Sequence, residues 1–202
     1  MPEHFDLEAR DIIYKAADGL GVRTILSIEQ LKIPQGSRVA LQGSSGAGKT
    51  TLLKVLSGII RADMGFVRWG STILSDLSES RRDVWRGENC GFLFQDFGLF
   101  DGLTAVENVL LPETFTGSIK AAARQQAREL LDRFGVHADA SARHLSRGEM
   151  QRTALARLLM GSPKVIFADE PTASLDEKNA RRVMQALVES SEELGATLFV
   201  IT

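Results

Sequence analysis

Residues 43–51, GSSGAGKTT, carry the strongest chemical signal in the sequence. They match the G-x-x-x-x-G-K-[ST] pattern in full and lie between a strand-like run, RVALQ, and a helix-like one. In such a loop, glycines let backbone N–H groups converge on phosphate oxygens, and the helix N-terminus adds partial positive charge. We expect Lys49 to contact the β- and γ-phosphates of a nucleotide and the Thr50 hydroxyl to ligate Mg²⁺. The predicted nucleotide-binding residues of this loop are Gly43, Ser44, Ser45, Gly46, Ala47, Gly48, Lys49, Thr50 and Thr51.

A pair of carboxylates, Asp169 and Glu170, ends the apolar run VIFA. Ligands bind at the carboxyl ends of the strands in an open α/β sheet. We expect Asp169 to hold Mg²⁺, directly or through water, and Glu170 to act as a general base for water attacking the γ-phosphate. A solvated strand end would look the same locally, and the phosphate loop upstream favours the catalytic interpretation.

The segment LSRGEMQR, beginning at Leu145, has the features of a helix N-terminus. Ser146 is a suitable N-cap, and Glu149 three residues later completes a capping box. The glycine between them, Gly148, leaves the backbone open to close approach by a ligand. The segment therefore predicts a helix whose positive end is available to an anion.

The elements around these segments predict a three-layer α/β fold of the P-loop NTPase type. Almost entirely apolar runs at residues 90–95, 164–169 and 196–201 are typical of strands buried on both faces of a parallel sheet. Helical patterns follow at 49–58 and 176–194. Residues 5–42 predict several short strands, assigned to an N-terminal antiparallel β subdomain, and residues 96–148 predict an inserted, mostly helical subdomain.

The bulk composition limits the partners. The chain has 202 residues and a net charge of −2, which provides no overall attraction for nucleic acid, so no nucleic-acid partner is expected. A single cysteine, Cys90, excludes an internal disulfide and fits a reducing compartment. No apolar run reaches eighteen residues, so we expect any membrane role to come through a partner.

The ordered set of motifs resembles the ATP-binding-cassette (ABC) ATPases over the whole chain. The phosphate loop, a Q-loop glutamine at Gln95, the signature LSRGE, the acidic strand VIFADE and the D-loop SLD at residues 174–176 follow in the family's order. The resemblance implies a single ABC ATPase domain over residues 1–202, with a nucleotide-binding core at 1–95 and 149–202 and a helical subdomain at 96–148. The segment LTAVENVLLP is similar to the subgroup serving lipoprotein release, macrolide export and cell division.

The resemblance also implies a mechanism and partners. Two such domains, identical or different, pair head to tail around ATP and Mg²⁺, and Ser146, Gly148 and Glu149 of one contact the ATP of the other. Gln95 is implied as a catalytic residue that senses Mg²⁺ and the attacking water. An integral membrane permease is the implied partner, placing the chain on the cytoplasmic face of the inner membrane.

Three positions depart from the family's pattern. The aromatic residue that stacks on adenine aligns with Ala16 or Ala17, whereas Tyr14 lies slightly earlier and is predicted either to stack on the base or to pack in the core. The family's histidine after the last strand has no counterpart before Thr202, which implies either a shortened chain or impaired hydrolysis. Arg147 replaces a usual glycine and is predicted either to project into solvent or to lie beside the partner's nucleotide.

The main interpretation is therefore the ATP-hydrolysing subunit of a membrane transporter or exporter-like complex. One alternative is a non-transport ABC ATPase that drives a mechanical or regulatory change, as in cell division. Another is a weakly active subunit of a heterodimer, which the intact Glu170 argues against and the missing histidine argues for.

Overall fold

A computed structural model describes residues 4–17, 21–94, 96–114, 119–173 and 175–202. The strands are β1 (Leu7–Ala17), β2 (Val22–Ile33), β3 (Arg38–Leu41), β4 (Met64–Trp69), β5 (Thr72–Ile73), β6 (Cys90–Leu93), β7 (Val165–Asp169) and β8 (Thr197–Ile201). The helices are α1 (Lys49–Leu56), α2 (Glu79–Asn89), α3 (Ala105–Thr114), α4 (Ala121–Arg133), α5 (Arg147–Met160) and α6 (Glu177–Leu194).

The central layer is a parallel sheet with strand order β3-β8-β7-β6. Alternate residues of β7 and β8 face opposite cores. Phe167 and Phe199 pack with α1 and the antiparallel strands, whereas Ile166 and Leu198 pack with α5 and α6. Because both faces are covered, these strands are apolar at almost every position. The prediction of doubly buried strands at residues 164–169 and 196–201 is confirmed.

The second sheet is antiparallel, with strand order β2-β1-β4-β5. Its core side is anchored by Trp69, which meets Phe167 and Phe199 edge to face and donates its indole N–H to the Leu56 carbonyl. The prediction of several short strands across residues 5–42 was wrong in detail, because β1 and β2 have 11 and 12 residues. A register shift between Tyr14 and Lys15 is an irregularity in the pairing with β2, and β1 continues through it.

The helices α3 and α4 pack on each other and on α5 around a separate apolar core. Val109, Leu131 and Ala156 lie within it and are fully buried. The predicted helical segment after β6 is therefore present, while its limits at residues 96 and 148 stay a prediction. α5 belongs to both units, since Ala154 and Leu158 pack on the parallel sheet while Ala156 and Met160 face α3 and α4.

The helices α1 and α6 both end close to a glycine. α1 ends at Leu56, two residues before the predicted end, and Gly58 takes a positive φ of 69° there. α6 ends at Leu194, and its C-cap residue Gly195 has a φ of 60°, as the glycine at this position predicts. Within the described ranges, no helix has both the length and the apolar character needed to cross a bilayer.

Candidate functional site

The phosphate loop joins β3 to α1 through left-handed glycines. Gly46 and Gly48 have φ values of 78° and 88°, and Gly48 is the N-cap of α1. A Cβ atom on Gly48 would lie 3.1 Å from the Ile25 carbonyl oxygen, so a larger residue would be crowded as well as strained. The loop is exposed around Gly46, and the first turn of α1 contains no acidic residue. Its N–H groups and helix end are therefore available to an anion.

The Lys49 ammonium group lies across this loop. It donates to the carbonyl oxygens of Gly43 and Ser44 at 2.5 and 3.3 Å. Both acceptors are neutral main-chain groups, and Lys49 forms no ion pair within the described part of the chain. Its charge is thus held beside the loop without being neutralised, as phosphate binding requires.

The start of α1 and the end of β7 meet at the predicted metal ligands. The Thr50 hydroxyl donates to Asp169 Oδ1 at 3.3 Å, although the residues are 119 positions apart. No cluster of three His, Cys, Asp or Glu side chains suited to a metal occurs among the residues that the structure describes. One hydroxyl and one carboxylate fit Mg²⁺, which usually takes few protein ligands and completes its octahedron with phosphate oxygens and water.

Glu170 follows Asp169 with a backbone conformation that is uncommon outside glycine. Its φ is 46°, and its N–H donates to the Ile201 carbonyl at 3.1 Å. The side chain is exposed and lines the same cavity as Lys49 and Thr50. The two predicted carboxylates and the phosphate loop therefore border one site.

This cavity has a volume of about 460 Å³. Its lining also includes Tyr14, Ala16 and Ile25. Tyr14 also packs on the core beneath the antiparallel sheet. Tyr14 thus meets both the cavity and the core, and its part in binding a base stays a prediction.

The predicted capping box at the start of α5 is confirmed. The Ser146 hydroxyl accepts from the Glu149 N–H at 3.4 Å, and Glu149 Oε2 accepts from the Ser146 N–H at 2.9 Å and from its hydroxyl at 2.6 Å. These hydrogen bonds, the one from the hydroxyl foremost, lower the pKa of Glu149. Ser146, Gly148 and Glu149 are not among the described residues that line the cavity beside Lys49.

Arg147 adopts an arrangement that the sequence does not reveal. Its side chain is exposed, and its guanidinium carbon lies 5.6 Å from the centroid of the Phe97 ring. Phe97 is buried, has a positive φ of 61°, and follows the predicted Q-loop residue Gln95 by two positions. Gln95 itself and Ser174 of the D-loop lie outside the described residues.

Gln151 is a buried polar residue that sequence reasoning missed. It is 2% exposed, and its Nε2 donates to the Pro171 carbonyl at 3.1 Å. The signal available in the sequence was the position of Gln151 on the apolar stripe of α5, three residues before Ala154 and four before Leu155. A glutamine on that face must find a buried acceptor.

Known proteins resemble this chain in sequence and in fold. The sequence profile of the family described as ABC transporter matches residues 26–173, a range that includes the phosphate loop, Ser146 and Glu170. The lipoprotein-releasing system ATP-binding protein LolD of Syntrophotalea carbinolica is 41% identical over 180 residues, covering 88% of this chain and 79% of that protein. The macrolide export ATP-binding/permease protein MacB of Syntrophobacter fumaroxidans is 38% identical over 85% of this chain and 25% of its own length. A dimeric post-hydrolysis structure of the ATP-binding cassette MJ0796 with ADP and Pi has a TM-score of 0.86 and 33% identity, covering 97% of this chain and 87% of that one.

Proposed function

The chain belongs to the ABC transporter family, and from this premise we propose that it hydrolyses ATP with Mg²⁺ at the cavity between α1 and β7 to drive a membrane exporter-like complex. The observation that carries the assignment is the convergence of Thr50 and Asp169, with Lys49 and Glu170 bordering the same cavity. These groups come from two elements far apart in sequence, and their types match what a bound nucleoside triphosphate needs.

Each group has a role at the scissile phosphate. The loop N–H groups and the N-terminus of α1 bind the phosphate oxygens, and Lys49 leaves its carbonyl partners to pair with the β- and γ-phosphates. Thr50 and Asp169 would hold Mg²⁺, which neutralises phosphate charge when bound. The Glu170 carboxylate accepts a proton from the attacking water. Gln95 is the residue proposed to orient that water and to complete the metal shell.

A second copy of an ABC domain completes the site. Because Ser146 and Gly148 do not border the cavity of their own chain, we assign them to the γ-phosphate of a partner's ATP, with Glu149 holding the cap that orients them. This head-to-tail arrangement applies to a homodimer or a heterodimer. The dimeric cassette MJ0796 with ADP and Pi, which is similar over 97% of this chain, supports it.

The names of two relatives support a membrane partner and a location for this chain. One belongs to a lipoprotein-releasing system and another is named as a macrolide export ATP-binding/permease protein. We therefore assign the chain to the cytoplasmic face of the inner membrane, bound to a permease. In this assignment residues 96–148 form the helical subdomain between the two parts of the nucleotide-binding core, 1–95 and 149–202.

Removing the proposed general base tests the assignment. Glu170→Gln should lower the ATPase rate by about 10²-fold or more, since general-base catalysis contributes at least that much. The same variant should form an ATP-dependent dimer more readily than the wild type, because ATP is no longer consumed. Phosphate release and gel filtration with ATP measure the two effects.

A matched carboxylate change provides the control. Glu177→Gln alters an exposed residue of α6 that pairs with Arg181, and it should leave both readouts unchanged. Hydrolysis at the wild-type rate by Glu170→Gln would contradict the assigned role, and a nucleotide-bound variant that stays monomeric would contradict the dimer.

A further inference from the structure

The turn that follows β7 holds Glu170 in a backbone conformation that is unfavourable for a residue other than glycine. A positive φ places the Cβ of an L-residue close to its own backbone. Glu170 also precedes Pro171, and the residue before a proline is normally extended. Such a residue keeps its conformation only where its surroundings determine it.

Three hydrogen bonds hold this turn, and one of them, from the Ala173 N–H to the Glu170 carbonyl at 3.3 Å, lies within the turn itself. On the amino side, the Glu170 N–H donates to Ile201 of β8 at 3.1 Å. On the carboxyl side, the Pro171 carbonyl accepts from Gln151 of α5 at 3.1 Å. The bond to Ile201 lies just beyond the last paired residue of β7, whereas the bond from Gln151 depends on one side chain.

The Gln151 amide is well placed to fix the direction of the Pro171 carbonyl. It is 2% exposed and lies on a helix packed against the parallel sheet, so its donor has little freedom to move. Pro171 is buried and its ring fixes φ, so holding the carbonyl leaves the peptide little rotation. The orientation of the preceding residue, Glu170, is therefore constrained from both sides.

We propose that Gln151 is a positioning residue for hydrolysis, whose side-chain amide holds the Pro171 carbonyl and so directs the Glu170 carboxylate toward the attacking water. The proposal rests on the proposed function, since it assigns Glu170 the role of base. Gln151 is not among the described residues that line the cavity beside Lys49. Its loss should therefore affect the chemical step and leave nucleotide binding intact, because small misplacements of a catalytic group lower kcat steeply.

The test replaces the amide donor with a side chain of similar size. Gln151→Met should lower kcat roughly 10- to 100-fold while KM and the affinity for a fluorescent ATP analogue stay within about threefold of the wild type. When Glu170 is already replaced by Gln, Gln151→Met should lower the remaining ATPase rate by less than about twofold, because the carboxylate that Gln151 directs is absent.

Thr153→Val is the matched control. Thr153 is fully buried on the same helix, and its hydroxyl donates to the Glu149 carbonyl within α5, so the variant loses a buried hydrogen bond without touching the Glu170 turn. It should keep the wild-type kcat. A merely structural role for Gln151 would instead give both variants similar losses.

The outcomes separate this proposal from the function on which it rests. If Glu170→Gln loses activity but Gln151→Met does not, or if Gln151→Met lowers the rate by its full factor without the Glu170 carboxylate, the positioning role is overturned. If Glu170→Gln keeps full activity, the proposed function fails first. Should Gln151→Met not fold, Gln151→Leu removes the same donor with another apolar side chain on the buried face of α5, and the same outcomes apply to it.

Discussion

Arg147 is a cation at the helix end where a cation is least favourable. It is the first residue of α5, whose N-terminus carries partial positive charge. The negative face of the Phe97 ring, 5.6 Å from its guanidinium carbon, offsets that repulsion. The contact joins the signature to the turn after Gln95, a turn that Arg157 also holds by donating to the Phe97 and Gly98 carbonyls.

A double-mutant cycle measures this contact. Arg147→Ala alone combines a lost ring contact with relief of the unfavourable charge, so its own effect on stability is small. Combined with Phe97→Leu, it should reveal a coupling of about 0.5–1 kcal/mol in the free energy of unfolding, measured in urea. Arg143→Ala, at an exposed arginine four residues earlier, should show no coupling to Phe97. A coupling below about 0.3 kcal/mol would remove the contact from consideration.

Residue types and spacing predicted the charged groups of the site but not what orients them. Lys49, Thr50, Asp169 and Glu170 follow from motifs whose context is local, a strand followed by a loop and a helix. The positive φ of Glu170 occurs beside hydrogen bonds with Ile201 of β8 and Gln151 of α5, and no local sequence pattern records these distant partners. Both predictions for Arg147 missed its ring partner for the same reason.

The contact between β6 and α5 depends on a glycine. A Cβ atom on Gly91 would lie 2.9 Å from Leu158 Cγ and 3.0 Å from Pro163 Cγ. Both neighbours are buried in packed surroundings, so neither can move away cheaply. The absence of a side chain at Gly91 therefore sets how closely the signature helix approaches the strand that leads to Gln95.

Gly91→Ala should consequently destabilise the protein by about 1–3 kcal/mol, the usual cost of overpacking a core. Gly87→Ala is the control, because Gly87 lies inside α2 and a Cβ there meets nothing within 4 Å. That change should instead stabilise the protein by up to ~1 kcal/mol through helix propensity. Urea unfolding of both variants measures the difference, and equal effects would contradict the close packing at Gly91.

At the level of elements, the burial of a strand on both faces is the feature that the sequence predicts best. The apolar runs predicted β6, β7 and β8, because only doubly covered strands lack polar positions. Strand ends were less readable, and β6 stops at Leu93, before the predicted end at Gln95. Pairing between strands sets such ends, and the partner of a strand is not visible in its own sequence.

At the level of the whole molecule, the two parts of the proposed catalytic unit, the phosphate loop and the signature, lie apart in a single chain. Lys49 borders the nucleotide cavity, whereas Gly148 lies on the N-terminus of α5, outside that cavity's described lining. A head-to-tail pair brings the loop of each copy to the signature of the other. The phosphate loop can then be disabled in one chain and the signature in another, and mixing the two chains should restore an intact site.

Lys49→Ala and Gly148→Asp make this test. The first removes the phosphate-binding charge. The second places a carboxylate, favourable to the helix end itself, against the partner's γ-phosphate, so each variant alone should be inactive. In an equal mixture, half of the dimers are mixed and each holds one intact site, so the ATPase rate should recover to roughly a quarter of the wild type. A chain carrying both changes, mixed with Gly148→Asp, forms no intact site and should stay inactive. A mixture of the single variants no more active than its components would rule out the head-to-tail site.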